Sequence, residues 1–175
     1  MNLHERCEKI RAVVLDVDGV LTDGRIGYGA GSEEEIKFFF VRDGLGITLA
    51  RKCGLKVGIL SGRESGANRR RAEELKLDFI LEGCSSKEGG LVRLLEKLQL
   101  TGEECMYIGD DLIDIPPMKR CGLAVATGDG AKELDEVVHF RTKASGGKGA
   151  VREALEFLLK EQGKWEGILR EYREK

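Results

Sequence analysis

The stretch that decides the fold is residues 12–19, with the sequence AVVLDVDG. Its four apolar residues in a row, two of them β-branched, predict a short buried strand at the centre of a sheet. Asp16 ends this strand, because a carboxylate is rarely buried without a partner. The first candidate functional side chains, Asp16 and Asp18, therefore stand at the carboxyl end of a strand.

The same pattern returns along the chain. Further short apolar runs predict strands at residues 55–60, 79–81, 106–109 and 123–126. Helical patterns separate them, at roughly residues 44–52, 64–76 and 87–98 and after Pro116-Pro117. Strands that alternate with helices indicate an α/β fold, here a Rossmann-like parallel sheet with helices on both faces.

Residues 20–41 interrupt the alternation. They contain Gly24, Gly27, Gly29 and Gly31, followed by a β-rich run at 36–41, and they predict a β-hairpin flap after the first strand. Neither this insertion nor residues 62–86 reaches the roughly 50 residues that a further domain needs. We therefore expect residues 1–175 to form a single domain without a cap domain.

The end of the chain carries two amphipathic patterns. The first begins after Gly149 and predicts a helix. The second is a helical tail at about residues 163–175, whose apolar stripe packs either on the domain itself or on a partner. The loop at 146–149 either simply precedes a helix or forms part of a site shared between subunits.

Composition excludes several classes of protein. The chain has 29 Lys and Arg against 31 Asp and Glu, a net charge of −2, which disfavours a nucleic acid or an anionic lipid as partner. Its apolar runs are far shorter than the roughly 20 residues of a membrane span, and the N-terminus mixes charges without the apolar core of a secretory signal. The five cysteines show no C-x-x-C spacing, which indicates reduced thiols and not a zinc site. We expect a cytoplasmic protein with no membrane partner.

Polar residues cluster at the ends of four predicted strands. They are Asp16 and Asp18 after the first, Ser61 after the second, Lys87 soon after the third, and Asp110, Asp111 and Asp114 after the fourth. Ligands of open α/β sheets bind beyond the carboxyl ends of the strands. Converging carboxylates suit Mg²⁺, whereas a lysine and a hydroxyl suit an anion. With a free carboxylate as nucleophile, this set predicts phosphoryl transfer through an aspartyl-phosphate.

These residues also resemble a known family. The segments DVDGVLT at 16–22, LSGR at 60–63, Lys87 and GDDLID at 109–114 resemble the four motifs of haloacid dehalogenase-like phosphohydrolases. Further segments at 23–25, 41–44, 114–116 and 146–153 are similar to the subgroup that hydrolyses 3-deoxy-D-manno-octulosonate 8-phosphate. The resemblance spans residues 10–162 and implies a capless phosphatase of lipopolysaccharide precursor synthesis.

The resemblance also implies a role for each matching residue. Asp16 is the nucleophile, and Asp18 is the general acid that later serves as the base. Mg²⁺ is held by Asp16, the backbone carbonyl of Asp18 and Asp110, with Asp111 and Asp114 close by. Ser61 and Lys87 bind the phosphoryl oxygens.

The same matching motifs supply the residues expected around a small phosphorylated sugar acid. They are Arg42, Asp43, Gly44, Gly62, Arg63 and Arg71, together with Lys87. Thr48 stands where the family often has another arginine. The family forms homotetramers in which neighbouring chains help to close each site, and we expect the same here, with Phe38, Phe39 and Phe40 as the apolar side of the flap.

Several alternatives stay open at this point. The substrate could be a related nine-carbon sugar acid phosphate, and the domain could also store a phosphoryl group as a signal or serve only in oligomerisation. Asp18 argues against storage, because a signalling site lacks this acid-base group. Ser61 and Asp114 could each cap a helix, and Arg71 could belong to a solvated helix face.

Overall fold

The computed structural model describes residues 1–29 and 35–174; Gly31 of the predicted flap and Lys175 of the tail lie outside this description. The helices are α1 Leu3–Lys9, α2 Val41–Lys52, α3 Gly66–Glu74, α4 Lys87–Leu98, α5 Ile115–Met118, α6 Ala150–Glu161 and α7 Trp165–Arg173. The strands are β1 Ala12–Leu15, β2 Gly27–Tyr28, β3 Glu35–Ile36, β4 Lys56–Leu60, β5 Phe79–Leu81, β6 Cys105–Gly109, β7 Leu123–Ala126 and β8 Phe140–Arg141.

The main sheet has β1 near its centre. Within the described ranges it comprises six strands in the order β5-β4-β1-β6-β7-β8, and every neighbouring pair is parallel. Leu15 at the end of β1 pairs with Ile59 on one side and Ile108 on the other. The three central strands therefore end at the same level, which brings the residues that follow them together.

Helices cover both faces of this sheet, as the alternation predicted. Val13 and Leu15 belong to the apolar layer beneath α2 and α6, whereas Val14 belongs to the layer beneath α4 and α5. Every residue of β1 is buried because it is covered on both sides. The predicted α/β class, parallel sheet and two helical layers are confirmed.

The flap is a hairpin, but its strands are shorter than predicted. Strand β2 pairs antiparallel with β3, and the run at 36–41 does not continue as a strand. Instead α2 begins at Val41, three residues before the predicted start. Phe39 packs against the core of its own domain, with the Arg71 guanidinium 5.6 Å above its ring. These tertiary contacts replace the strand pairing that the apolar run suggested.

Two elements escaped the sequence analysis. Helix α1 begins with a capping box formed by Asn2 and Glu5, and β8 adds a two-residue strand at the edge of the sheet. A strand of two residues is too short to show a period. The capping box is a local sequence signal that could have located α1, whereas β8 is recognisable only from its pairing with β7.

The C-terminal helix α7 packs on its own domain. Trp165 is buried, and Ile168 and Leu169 pack against the same apolar layer as α6. This decides between the two alternatives for the tail in favour of an intramolecular contact. Among the helices of the described chain, none combines the length and apolar character that crossing a bilayer demands.

Candidate active site

The carboxyl ends of the central strands open onto a crevice of about 290 Å³. Its walls are formed by Asp16, Asp18, Gly24, Ser61, Gly62, Arg63, Lys87, Asp110, Asp111 and Ile113. These residues come from four separate segments, each following or facing a strand end. The structure thus brings together the residues that the strand-end rule selected.

Lys87 stands at the centre of the charges. It is the first residue of α4, whose N-terminus is capped by the Ser86 hydroxyl accepting from the Gly89 N–H at 3.1 Å. Its Nζ lies 2.7 Å from Asp16 Oδ2 and 2.7 Å from Asp114 Oδ1. Burial alone would lower the pKa of Lys87, but the two carboxylates outweigh it and the pKa is raised. Lys87 therefore remains charged in the interior.

Asp114 is fully buried, and both of its oxygens are occupied. Oδ1 accepts from Lys87 and from the Tyr107 hydroxyl at 2.8 Å, whereas Oδ2 accepts from the backbone N–H groups of Asp110 and Asp111 at 2.9 and 3.2 Å. Its side chain does not cap α5, so the interpretation as a simple helix cap is wrong. A side chain on Gly109 would lie 2.5 Å from the Asp114 carboxyl carbon, so this close approach requires glycine.

Tyr107 was missed by the sequence analysis. It lies in β6, is completely buried, and donates its hydroxyl to Asp114. The available signal was a single hydroxyl-bearing side chain in a strand otherwise made of apolar residues and glycine. A buried tyrosine hydroxyl needs an acceptor, and here the acceptor belongs to the site.

Asp16 and Asp110 are the carboxylates that call for a cation. Among the described residues, Asp16, Asp110 and Asp114 each offer one carboxylate oxygen, and these three oxygens lie within 4.8 Å of one another. Burial and the neighbouring carboxylates raise the pKa of Asp16 to about 6 and that of Asp110 to about 8. Lys87 supplies one positive charge that Asp16 and Asp114 share, so the three carboxylates together keep an excess of negative charge. This oxygen-only donor set fits Mg²⁺.

The turn after β1 makes room for Asp110. Gly19 has φ +85°, and a side chain at this position would overlap the Asp110 carboxylate. The loop at 146–149 packs on the same turn, since Gly147 N–H donates to the Val20 carbonyl at 3.0 Å and a Cβ on Gly146 would overlap the Gly19 carbonyl. This loop therefore does more than precede a helix, because it packs on the turn that carries Asp18.

Ser61 follows β4 and points into the crevice. It is buried, and its hydroxyl accepts from the Arg63 N–H at 3.1 Å. It does not cap α3, whose N-cap residue is Ser65, so that alternative is wrong. The Arg63 guanidinium pairs with Glu35 of the flap, and about half of its side chain remains exposed.

Four residues predicted to bind substrate lie outside this crevice. Asp43 accepts from the Arg152 N–H at 2.7 Å and so holds the start of α6, and burial raises its pKa to about 6. Gly44 lies directly against the guanidinium of Arg71. Arg42 is exposed along a separate groove that also contains Lys148. Substrate binding by Arg42, Asp43, Gly44 and Arg71 stays a prediction.

Comparison with known proteins agrees with this geometry. A profile of haloacid dehalogenase-like hydrolases matches residues 77–155. The 3-deoxy-D-manno-octulosonate 8-phosphate phosphatase of Haemophilus influenzae is 40% identical over 93% of this chain and 89% of its own length. That of Escherichia coli is 43% identical over 91% of this chain and 84% of its own. The chain belongs to this family of haloacid dehalogenase-like phosphatases.

A solved structure resembles this phosphatase over almost its whole length. It is the Moraxella catarrhalis 3-deoxy-D-manno-octulosonate 8-phosphate phosphatase in complex with magnesium, phosphate and KDO. It is 35% identical, covers 97% of each chain and has a TM-score of 0.93. A cobalt-bound Haemophilus influenzae phosphatase is 40% identical with a TM-score of 0.87, covering 91% of this chain and 93% of its own. The predicted family and fold are therefore confirmed.

We expect Mg²⁺ to stabilise this phosphatase. At 100 times its dissociation constant, the gain is about 2.7 kcal/mol, or several degrees in Tm. The shift should be smaller at pH 6 than at pH 8, because protons on Asp110, with a pKa of about 8, and on Asp16 compete with the metal. Thermal melts with and without Mg²⁺ at both pH values measure this.

The matched variants for this melt are Asp110→Ala and Asp135→Ala. Asp110→Ala should abolish most of the Mg²⁺ shift, whereas Asp135→Ala, an exposed carboxylate paired with Arg141, should keep it. A full Mg²⁺ shift in Asp110→Ala would show that the ion binds elsewhere.

Proposed function

We propose that this protein is a Mg²⁺-dependent phosphatase that hydrolyses 3-deoxy-D-manno-octulosonate 8-phosphate to the free sugar acid and phosphate. The observation that carries the proposal is the grouping of Asp16, Lys87 and Asp110 with Asp18 in one crevice. The relatives reported above are phosphatases of this substrate, which favours hydrolysis over phosphoryl storage or a purely structural role. The product would enter lipopolysaccharide precursor synthesis.

In the first step, Asp16 attacks the phosphorus atom. Lys87 pairs with one Asp16 oxygen, Oδ2, and leaves Oδ1 for the new bond. Lys87 and Ser61 hold the phosphoryl oxygens, while Asp18 gives its proton to the departing sugar oxygen. The step breaks the phosphorus–oxygen bond of the substrate and forms an acyl phosphate, the aspartyl-phosphate, on Asp16.

In the second step, a water molecule attacks the phosphorus of the aspartyl-phosphate. Asp18, now ionised, takes a proton from this water, and the bond to Asp16 breaks with release of phosphate. Asp16, Asp110 and the backbone carbonyl of Asp18 would hold Mg²⁺, which when bound offsets the negative charge of the carboxylates and the phosphoryl group. Asp18 ends the cycle protonated, ready for the next substrate.

The sugar acid assignment rests on charge. Arg63 is the arginine that lines the crevice of the described chain, and a guanidinium pairs well with a carboxylate. The Moraxella catarrhalis relative was solved with KDO, which supports an eight-carbon sugar acid. A nine-carbon sugar acid phosphate offers the same two anionic groups and is the alternative substrate.

Asp16→Asn should abolish phosphate release, because it removes the nucleophile. Asp18→Asn should lower turnover of the sugar acid phosphate by about 10²–10⁴-fold through loss of proton transfer. EDTA should abolish phosphate release by the wild type, and Asp135→Asn should release phosphate at the wild-type rate. A phosphate-release assay over a panel of sugar and sugar acid phosphates measures all four, and normal release by Asp16→Asn would refute the covalent mechanism.

Arg63→Ala should impair the sugar acid phosphate selectively. A charged hydrogen bond is worth about 1.5–3 kcal/mol, so kcat/KM should fall by about 10- to 100-fold, with a much smaller loss on p-nitrophenyl phosphate. Arg69→Ala on α3, which does not line the crevice, is the matched control. Equal losses on both substrates would mean that Arg63 serves the phosphate or the fold.

We also propose a homotetramer in the cytoplasm. The flap and the first turns of α2 carry exposed large apolar side chains, namely Tyr28, Ile36, Phe38, Val41 and Leu45. Phe38 is 75% exposed and is the outward member of the predicted Phe38–Phe40 interface, since Phe39 packs on its own core and Phe40 lies against Gly149. Exposed apolar side chains of this kind favour association. Five free thiols support a reducing compartment.

Phe38→Glu should weaken the assembly. Light scattering should give a lower mass at micromolar concentration, and sugar acid phosphate turnover should fall more than aryl phosphate turnover. Val92→Glu on α4, which changes a less exposed apolar residue away from the flap, is the control. A monomeric wild type with full activity on the sugar acid phosphate would refute the tetramer.

A further inference from the structure

A second buried lysine, Lys37 of the flap, pairs with a carboxylate that lines the crevice. Of the lysines in the described ranges, Lys37 and Lys87 are the two that are buried, and the Lys37 side chain has no exposed surface. Lys87 pairs with the proposed nucleophile. Lys37 belongs to none of the motifs that identify the family, and it follows β3 directly in sequence.

Lys37 links the flap to Asp18. Its Nζ lies 2.7 Å from Asp18 Oδ1 and 3.6 Å from Glu35 Oε2, and Glu35 also pairs with Arg63. Apart from these ion pairs, Asp18 Oδ1, Glu35 Oε2 and Lys37 Nζ make no hydrogen bond with the described residues. The row of alternating charges therefore runs from the crevice into the flap and back to the crevice.

This arrangement is costly for stability alone. An ammonium group taken out of water loses several kcal/mol of hydration, which an ion pair returns only in part, and an apolar side chain of similar size is often as stable. What the lysine contributes is a fixed orientation of the Asp18 carboxylate. Asp18 Oδ1 is buried against Lys37, whereas the Asp18 side chain as a whole is 22% exposed and lines the crevice.

We propose that Lys37 is a positioning residue for the reaction. It holds one oxygen of Asp18 in the interior, so that the other oxygen faces the place where the leaving group departs. Glu35 pairs with both Lys37 and Arg63, so the same ion pairs connect Lys37 to the arginine that lines the crevice. The inference rests on the proposed function, because it takes Asp18 as the group that protonates the leaving oxygen.

The leaving group distinguishes this role from a structural one. A sugar alkoxide is a poor leaving group and must be protonated as it departs, whereas p-nitrophenolate leaves without a proton. For both substrates, kcat/KM reports the steps up to loss of the leaving group. A misplaced Asp18 must therefore slow the sugar acid phosphate and spare p-nitrophenyl phosphate.

The test compares Lys37→Met, Lys37→Arg and Glu35→Gln with Asp18→Asn and wild type on both substrates. Lys37→Met should lower kcat/KM for the sugar acid phosphate by about 10²-fold and that for p-nitrophenyl phosphate by about threefold at most. Lys37→Arg keeps a cation at this position, so its kcat/KM for the sugar acid phosphate should fall less than that of Lys37→Met. Glu35→Gln keeps the Lys37–Asp18 pair and should lose less than Lys37→Met.

Asp18→Asn sets the full size of the leaving-group effect. If Asp18→Asn discriminates between the two substrates and Lys37→Met does not, the inference is wrong while the proposed function stands. If Asp18→Asn itself fails to discriminate, the proposed role of Asp18 is wrong and the inference falls with it. A wild type that cleaves neither phosphate refutes the proposed function as a whole, and the inference with it.

Lys37→Gln serves as the second variant where Lys37→Met melts below the assay temperature. It keeps a polar group of similar length in the buried position and removes the charge. A loss confined to the sugar acid phosphate supports the inference, and equal losses on the two substrates, or no loss on either, overturn it. The control Lys97→Met removes an exposed lysine from α4 and should match the wild type on both substrates.

Discussion

The rest of the site depends on one interaction, the pairing of the buried Lys87 ammonium group with Asp16 and Asp114. Removing one partner of a buried ion pair costs about 3–5 kcal/mol, because the remaining charge is left without water. Here the loss would spread further. Asp114 also fixes the Tyr107 hydroxyl and the backbone after β6. One side chain from α4 thus sets the relative position of the strand ends that meet at the crevice.

One ammonium does not neutralise the cluster. Asp16, Asp110 and Asp114 outnumber Lys87, and the raised pKa values of Asp16 and Asp110 express this excess of negative charge. Among the described residues, Lys87 is the cation that pairs with these carboxylates, and Gly19 leaves the room that seats Asp110 close to the strand end. A site built in this way is completed by a divalent cation, so its negative charge serves metal binding at the expense of stability.

The sequence predicted those features of the fold and the site that depend on the spacing of apolar residues and on the positions of strand ends. Strand β1 was recognisable because an uninterrupted β-branched run suits a sheet covered on both faces, and α4 was recognisable from its leucine spacing. Four other features were not recognisable from the sequence, because each is determined by a tertiary partner: the start of α2, strand β8, Tyr107 and Lys37. Motif matching predicted that Arg42 and Arg71 bind the substrate, but a motif does not give the orientation of a side chain. In the single chain, Arg42 lines a separate groove and the Arg71 guanidinium lies over the Phe39 ring.

Asp16 and Asp18 stand two residues apart after β1, yet the structure gives them separate partners. Lys87 approaches Asp16 from α4, beneath the sheet end, whereas Lys37 approaches Asp18 from the flap. A nucleophile must be held in place throughout the cycle, so a partner on the rigid scaffold suits Asp16. A proton donor must aim one oxygen at the leaving group, and Lys37 suits this role because it holds the other oxygen of Asp18 in the interior. The two lysines thereby divide two chemically similar carboxylates into two roles.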